Sequence, residues 1–289
     1  MSTTITAKMV ADLRAQTGAG MSDCKKALEE AQGNLEEAVK VLRERGILKA
    51  AKRADRNATE GLIGVQISAD HKTGALVVLN CETDFAARND RFTAALEEYK
   101  QAALAAATSD LDTFLAAKTA SGATVKESLD SMTAVIGEKI EISGVHFEGG
   151  DVVTGYIHPP GKIAVLLTGT GAGLSGDTAA KAGAILREVG MHVAAYAPRF
   201  LDASAIDEAT IASEREIAKN IALNEGKPAA MVDKIVDGKM KKFAAENALL
   251  LQAFAKDESV TVGQFIENEA KKAGFQLKLT AFKRVAIGA

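Results

Sequence analysis

GLIGVQISADHKTGALVVLN, residues 61–80, is the stretch that decides the fold class. In its first half Ile63, Val65 and Ile67 alternate with other residues, which is the two-residue period of a β-strand. A polar turn at residues 70–74 separates this strand from the continuous apolar run ALVVL. Two such runs joined by a short polar turn predict an antiparallel hairpin.

The residues after this hairpin change to the period of a helix. Phe92, Leu96, Tyr99 and Ala103 follow one another at spacings of four, three and four, which indicates an amphipathic helix with one apolar face. The segment EKIEISGVHFE, residues 138–148, then returns to a strand pattern. Strands and helices that follow one another in this way predict an α+β fold.

A weaker copy of the same unit begins further along the chain. GYIHPPGKIAVLLTG, residues 155–169, repeats the glycine start, the polar turn and the apolar return strand, and a helix is predicted over residues 177–196. Near the C-terminus, residues 275–279 alternate like a closing strand. An internal duplication is therefore expected, with two related α/β subdomains of antiparallel strands, each covering one sheet face with its own helix.

The N-terminal region is separate in pattern from this core. Residues 3–46 predict three short helices with clear caps, the last ending at Gly46, and the charged residues 49–58 are interpreted as a linker, with partial helix as an alternative. The expected units are an N-terminal three-helix module at 1–48, a linker at 49–58, core subdomain N at 59–150, and core subdomain C at 151–289, including a helical hairpin at 204–247.

The helical hairpin carries narrow apolar stripes on otherwise charged helices. Ile217 and Ile221 mark the first helix, and the stripe of the second consists of Met231, Val232, Ile235 and Val236. Such a pair suits a projecting arm or a self-association surface, and packing back onto the body is the alternative.

Composition excludes several classes of protein. The 289 residues carry a net charge of −3 and only 10 Phe, 3 Tyr and no Trp, which argues against a general nucleic-acid binder. The apolar runs are too short to cross a membrane. Cys24 and Cys81 form neither a disulfide framework nor a zinc motif, so a cytoplasmic location without a resident metal is expected.

One motif suggests an enzyme. GAGLSG, residues 171–176, fits the dinucleotide-binding pattern between a strand and a helix, where a pyrophosphate could rest on the helix N-terminus. A parallel strand–helix–strand unit with an acidic residue about 20 positions on is not visible, so a plain glycine-rich loop explains the same residues. The histidines are scattered singly, and no acid/base pair is evident.

Residues at the junctions between elements are a second group of candidates. Thr83, Asp84 and Phe85 follow the buried strand of the first hairpin, and His158 occupies the tip of the second. The purely structural interpretation of the Asp84–Phe85 pair is a helix N-cap with a core staple, in which the Phe packs inward. The alternative is a functional role.

Two short motifs resemble the signatures of the bacterial translation elongation factor Ts family. These are TGAGMSDCKKAL at residues 17–28 and TDFAARND at residues 83–90, with further similarity in MHVAAYAPRF at 191–200 and VDKIVDGKMKKF at 232–243. The resemblance implies an α+β fold with an N-terminal three-helix, UBA-like module, two related α/β subdomains and an inserted helical hairpin. It also implies a guanine-nucleotide exchange factor for elongation factor Tu, which makes and breaks no bond and needs no cofactor.

The resemblance further implies which residues contact elongation factor Tu, in its GDP-bound and nucleotide-free forms. They are Arg14, Met21, Thr83, Asp84, Phe85, Ala86, Ile136, Gly137 and His158. In this family the segment matching 83–86 intrudes near the Mg²⁺ site of the GTPase, with the Phe as a wedge and the Asp supporting it. The chain departs from the family at Ser22, where a second Met is common, and at Ala86, where Val is usual. Neither direct nucleic-acid binding nor membrane binding is implied, and a protein that holds elongation factor Tu without exchange remains an alternative.

Overall fold

The computed structural model describes residues 4–288, so the first three residues and the last residue of the predicted units lie outside the described part. The N-terminal region forms three helices, α1 (Ala7–Thr17), α2 (Met21–Glu30) and α3 (Leu35–Ala51). Their apolar faces make a small core of their own around Leu13, Cys24 and Leu28. The predicted three helices are confirmed.

The predicted end of α3 at Gly46 is wrong. The helix continues through Gly46 to Ala51, so the first residues of the predicted linker are helical. A Cβ atom at Gly46 would lie 3.5 Å from the Cβ of Ala134 and 3.6 Å from the carbonyl oxygen of Asp130, both in helix Val125–Ile136. A glycine inside a helix costs only about 1 kcal/mol relative to alanine, which this tertiary packing offsets.

The first sheet has three antiparallel strands, β1 (Glu60–Ile67), β2 (Thr73–Cys81) and β3 (Ile140–Gly149), in the order β1-β2-β3. The predicted hairpin is confirmed, with Ile63 opposite Val78. Four helices connect β2 to β3, namely α4 (Asp84–Ala87), α5 (Asp90–Ala106), α6 (Leu111–Ala116) and α7 (Val125–Ile136). They cover one face of the sheet, where Phe92, Tyr99 and Phe114 are buried.

The second sheet begins with β4 (Val152–His158) and β5 (Ile163–Thr170), and α8 (Asp177–Tyr196) follows as predicted. The chain then forms α9 (Glu208–Asn224), α10 (Ala229–Asn247), β6 (Ala253–Phe254), β7 (Asp257–Thr261) and α11 (Val262–Ala273). The closing strand β8 spans Lys278–Ala286, further along than predicted, and the order is β4-β5-β8, all antiparallel. The duplicated α+β architecture is therefore present.

The two sheets pack face to face. Ile63, Leu76 and Val78 of the first sheet meet Val153 and Leu166 of the second in an apolar layer. Each sheet is consequently buried on both faces, by its own helices on one side and by the other sheet on the other side. None of the helices in the described residues is long and apolar enough to span a membrane.

Helices α9 and α10 form the predicted hairpin, but part of the predicted apolar stripe of each helix faces solvent and not the other helix. Ile217, Ile221 and Met231 are 48%, 41% and 52% exposed. The contact between the helices is made by Ala218 and Ala222 of α9 with Val232 and Val236 of α10. Small alanine side chains let the two helices approach closely, which the larger isoleucines one position earlier would prevent.

Candidate functional site

A one-turn helix, α4, presents Phe85 to solvent. The Phe85 side chain is 80% exposed, whereas its neighbours Ala86 and Ala87 are buried. Thr83 is the N-cap of this helix, and its hydroxyl oxygen accepts a hydrogen bond from the Ala86 N–H at 3.2 Å. The predicted N-cap is present, with Thr83 as the capping residue, but the predicted core staple is wrong because the Phe85 ring lies outside the core.

Glu138 fixes the start of α4. The Thr83 N–H donates to Oε2 of Glu138 at 3.0 Å, and the Thr83 hydroxyl donates to Oε1 at 2.7 Å. Ile136 is the last residue of α7, Gly137 is the left-handed C-cap of that helix, and Glu138 comes directly after Gly137. This carboxylate therefore brings the predicted residues Ile136 and Gly137 beside Thr83, although the two segments are 55 residues apart in sequence.

A second carboxylate joins the same two segments in the opposite direction. Oε1 of Glu82 accepts the Lys139 N–H at 2.6 Å, and the Arg56 guanidinium lies 3.2 and 3.3 Å from its two oxygens. The hydrogen bond from Lys139, with a further contribution from Arg56, lowers the pKa of Glu82 below its ordinary value. Glu82 and Glu138 thus cross-link the two segments, and we call this pair the carboxylate clamp.

The Cys81 thiol completes the support beneath Thr83. Its Sγ donates to the Thr83 carbonyl oxygen at 3.1 Å. Burial, followed by the nearby charge of Glu138, raises the pKa of Cys81 to about 12. The thiol therefore stays protonated at neutral pH, acts as a hydrogen-bond donor, and is not a reactive thiolate.

Asp84 lies on the outer side of α4. Its Oδ2 forms an ion pair with Nη2 of Arg88 at 3.0 Å, one helical turn later, and the side chains of Asp84 and Arg88 are 47% and 78% exposed. An exposed pair of this kind contributes little to stability. Asp84 can consequently exchange this partner for another group when α4 meets a surface.

The N-terminal helices place Arg14 and Met21 on a neighbouring surface. Both side chains are exposed, on either side of the α1–α2 turn that contains Gly18. The guanidinium of Arg91 lies against Gly18 and leaves no room for a Cβ atom there. Because Arg91 is in the first turn of α5, just after α4, this contact puts the turn beside the segment that carries Phe85.

His158 belongs to the second sheet. It ends β4 on the second sheet and is exposed, with its Nδ1 3.0 Å from the Tyr156 hydroxyl. Its ring also lies near that of Tyr156, with the two centroids 6.0 Å apart, so these contacts of His158 stay within its own strand. The structure therefore brings together the predicted residues at 83–86 and 136–137 and sets Arg14 and Met21 next to them, while the hydrogen bond and the ring contact of His158 stay within β4.

The glycine-rich loop at residues 171–176 is not a dinucleotide site. Both neighbours of β5, the strand before the loop, run antiparallel to it, so the parallel unit that this cofactor fold requires is not formed. The Gly171 N–H is also taken by the Asp151 carboxylate at 3.1 Å. Within residues 4–288, no cluster of three or more His, Cys, Asp or Glu side chains is arranged to hold a metal ion.

Sequence reasoning missed the residues that position the site. They are Arg56, Glu82, Arg91 and Glu138, and none belongs to a pattern with a recognisable period. Two of these residues could have been found because they are next to predicted site residues in the sequence. Glu82 directly precedes Thr83, and Glu138 directly follows Gly137.

Comparison with known proteins agrees with the architecture. The family model described as Elongation factor TS matches residues 82–289, which include the Thr83–Phe85 segment, strand β3 of the first sheet and all three strands of the second. Elongation factor Ts of Chloroherpeton thalassium is 42% identical over 289 residues, covering 98% of each chain. Those of a Nitratiruptor species and of Clostridioides difficile are 42% and 40% identical, each covering 98% of this chain and 93% of the relative. Matches of this extent show that the chain belongs to the elongation factor Ts family.

Proposed function

We propose that this protein is a guanine-nucleotide exchange factor for elongation factor Tu, which binds the GDP form of that GTPase and promotes release of the nucleotide. The single observation that carries the proposal is the presentation of Phe85. A phenylalanine that is 80% exposed, on a helix fixed by hydrogen bonds on the other side, suits insertion into a partner. Membership of the elongation factor Ts family supports the choice of partner.

In the proposed mechanism the Phe85 ring enters an apolar contact on elongation factor Tu, beside the site that holds Mg²⁺ and the phosphates. Mg²⁺ neutralises phosphate charge and supplies a large share of what holds the nucleotide. Asp84 leaves Arg88 and either supports the ring or competes for groups around the ion. Loss of the ion weakens GDP binding, so the nucleotide dissociates.

The remaining predicted residues extend the proposed surface. Arg14 and Met21, beside the start of α5, and Ile136 and Gly137, beside Thr83, would contact the nucleotide-binding domain together with Phe85. His158 ends β4 of the second sheet and would contact a different domain of the partner. Contact with two domains of the partner would let the factor bind the nucleotide-free partner while Phe85 acts on the nucleotide site.

Release of a fluorescent GDP analogue from elongation factor Tu, with and without this chain, tests the proposal. We expect the chain to accelerate release. We also expect the chain and GDP each to lower the other's affinity for elongation factor Tu by the same ratio, since the coupling free energy between two ligands is reciprocal. A chain that binds the partner without accelerating release would be a holding protein instead. Tight GDP binding by the chain alone would also contradict the proposal.

We further propose that the α9–α10 hairpin is a surface for self-association. The exposed side chains of Ile217, Ile221 and Met231 support this role, because they are apolar and take no part in the contact between the two helices. Sedimentation of the full chain over a range of concentrations tests it. A monomer at all concentrations would contradict this role.

A further inference from the structure

Every polar group of Thr83 is engaged with another part of the chain. Its N–H and hydroxyl hydrogen bind Glu138, its hydroxyl oxygen accepts from Ala86, and its carbonyl oxygen accepts from the Cys81 thiol and, at 3.3 Å, from the Ala87 N–H. The backbone and side chain of the residue two positions before Phe85 therefore have a single arrangement. Two of these bonds go to a carboxylate, and such charge-assisted hydrogen bonds are the stronger kind.

Glu138 is itself placed by rigid elements. It stands between the C-cap of α7 and the start of β3, and the neighbouring Lys139 N–H is held by Glu82 at 2.6 Å. Arg56, in the segment that joins α3 to β1, binds Glu82 in turn. The carboxylate clamp thus connects α4 to both a helix and a strand of the core.

Helix α4 needs such external support. It has only four residues, and an isolated helix of one turn is not stable in water because nucleation fixes several dihedral angles for one hydrogen bond. Phe85 contributes little burial that would hold it in place. Without the clamp, the ring would sample many positions, and ordering it on contact with a partner would reduce the energy available to act on that partner.

We propose that Glu138 is a positioning residue for nucleotide exchange, which fixes α4 through Thr83 so that Phe85 reaches the partner already oriented. This inference rests on the proposed function of Phe85 and adds the residue that makes it effective. Glu138 does not touch the nucleotide or Mg²⁺. Its effect on GDP release passes entirely through the orientation of Phe85.

The first test measures positioning without any partner. The chain has no tryptophan, so Phe85→Trp introduces a single fluorescent reporter at the exposed site. In this background we expect Glu138→Ala to lower the fluorescence anisotropy of the tryptophan, and Glu138→Gln to lower it less because the amide oxygen keeps one acceptor for Thr83. Glu141→Gln is the matched control, since it also removes one negative charge close to the junction between α7 and β3. The native Glu141 carboxylate pairs with the Lys139 side chain at 2.9 Å and does not bind Thr83.

The second test measures exchange in the natural Phe85 background. Glu138→Ala removes both charge-assisted hydrogen bonds to Thr83. We expect it to lower the GDP-release rate at saturating factor by at least about tenfold, which is the effect of losing one such bond, with a smaller change in affinity for nucleotide-free elongation factor Tu. Glu138→Gln should restore part of the rate. If the alanine chain does not fold, Glu138→Gln and Thr83→Val replace it, because each removes only part of the contact.

The two tests separate failure of this inference from failure of the proposed function. Anisotropy in Glu138→Ala equal to that in Glu141→Gln would overturn the positioning role, whatever the exchange assay gives. Lower anisotropy with an unchanged release rate would equally overturn it. A wild-type chain that does not accelerate GDP release would instead overturn the proposed function.

Discussion

Replacing Phe85 with alanine should separate folding from function. The side chain is 80% exposed, so truncation removes little buried surface, and we expect the free energy of unfolding to change by no more than about 0.5 kcal/mol. Phe92, in the next helix, is the matched control because its ring is fully buried in the first core. Phe92→Ala should lower the free energy of unfolding by about 3–5 kcal/mol.

The expected effect on exchange is far larger than the effect on stability. Complete burial of a phenylalanine side chain stabilises by about 1.5–3 kcal/mol, and the exposed four-fifths of Phe85 corresponds to roughly 1.2–2.4 kcal/mol if a partner covers it all. If this energy acts to displace the nucleotide, its loss corresponds to a rate about 8- to 60-fold lower in Phe85→Ala. Affinity for nucleotide-free elongation factor Tu should fall less.

Stopped-flow release of a fluorescent GDP analogue measures this rate, and urea unfolding followed by circular dichroism measures stability. Both are compared between wild type and the two alanine variants. Excess EDTA removes Mg²⁺ without the factor and should mask much of the Phe85→Ala defect. A folded Phe85→Ala chain that releases GDP at the wild-type rate would refute the wedge mechanism.

Three further predictions follow from the fold. Gly46→Ala should raise the free energy of unfolding by about 0.5–1 kcal/mol through helix propensity, whereas Gly46→Leu should lower it by about 1–3 kcal/mol by overpacking α3 against α7; urea unfolding distinguishes the two signs. Since the folded-state pKa of Glu82 is lowered, its contribution to stability is present above the ordinary glutamate pKa and is lost as pH falls through the folded value. Glu82→Gln should therefore flatten the acid loss of stability, and an unchanged slope of unfolding free energy against pH would contradict this. Excision of residues 205–246 with a Gly/Ser bridge should leave GDP release largely intact and change the oligomeric state in sedimentation, because the backbone bonds from Phe200 to Asn247 and from Leu249 to Phe200 lie outside the excised part. Loss of exchange in a folded chain of this kind would place the hairpin in the active surface.

Local sequence patterns determined much of the secondary structure of this protein. Alternation in residues 61–67 and the apolar run that follows predicted the first hairpin, because a strand with side chains on two faces has a period of two. The capping and spacing signals predicted α8 at its observed bounds and the three N-terminal helices. The motifs at residues 17–28 and 83–90 indicated the family, because the residue types of each motif occur together in sequence.

Only the tertiary structure decided which surfaces meet. The sequence showed β2 as apolar on both faces but not that its second face packs against β4 and β5. It could not show that Gly46 lies against α7, or that Ala218 rather than Ile217 faces α10. Most important for function, Glu138 meets Thr83 across 55 residues. Periodicity reports which side of an element is apolar, whereas the partner of each side depends on how separate elements pack, and that is settled by the whole chain at once.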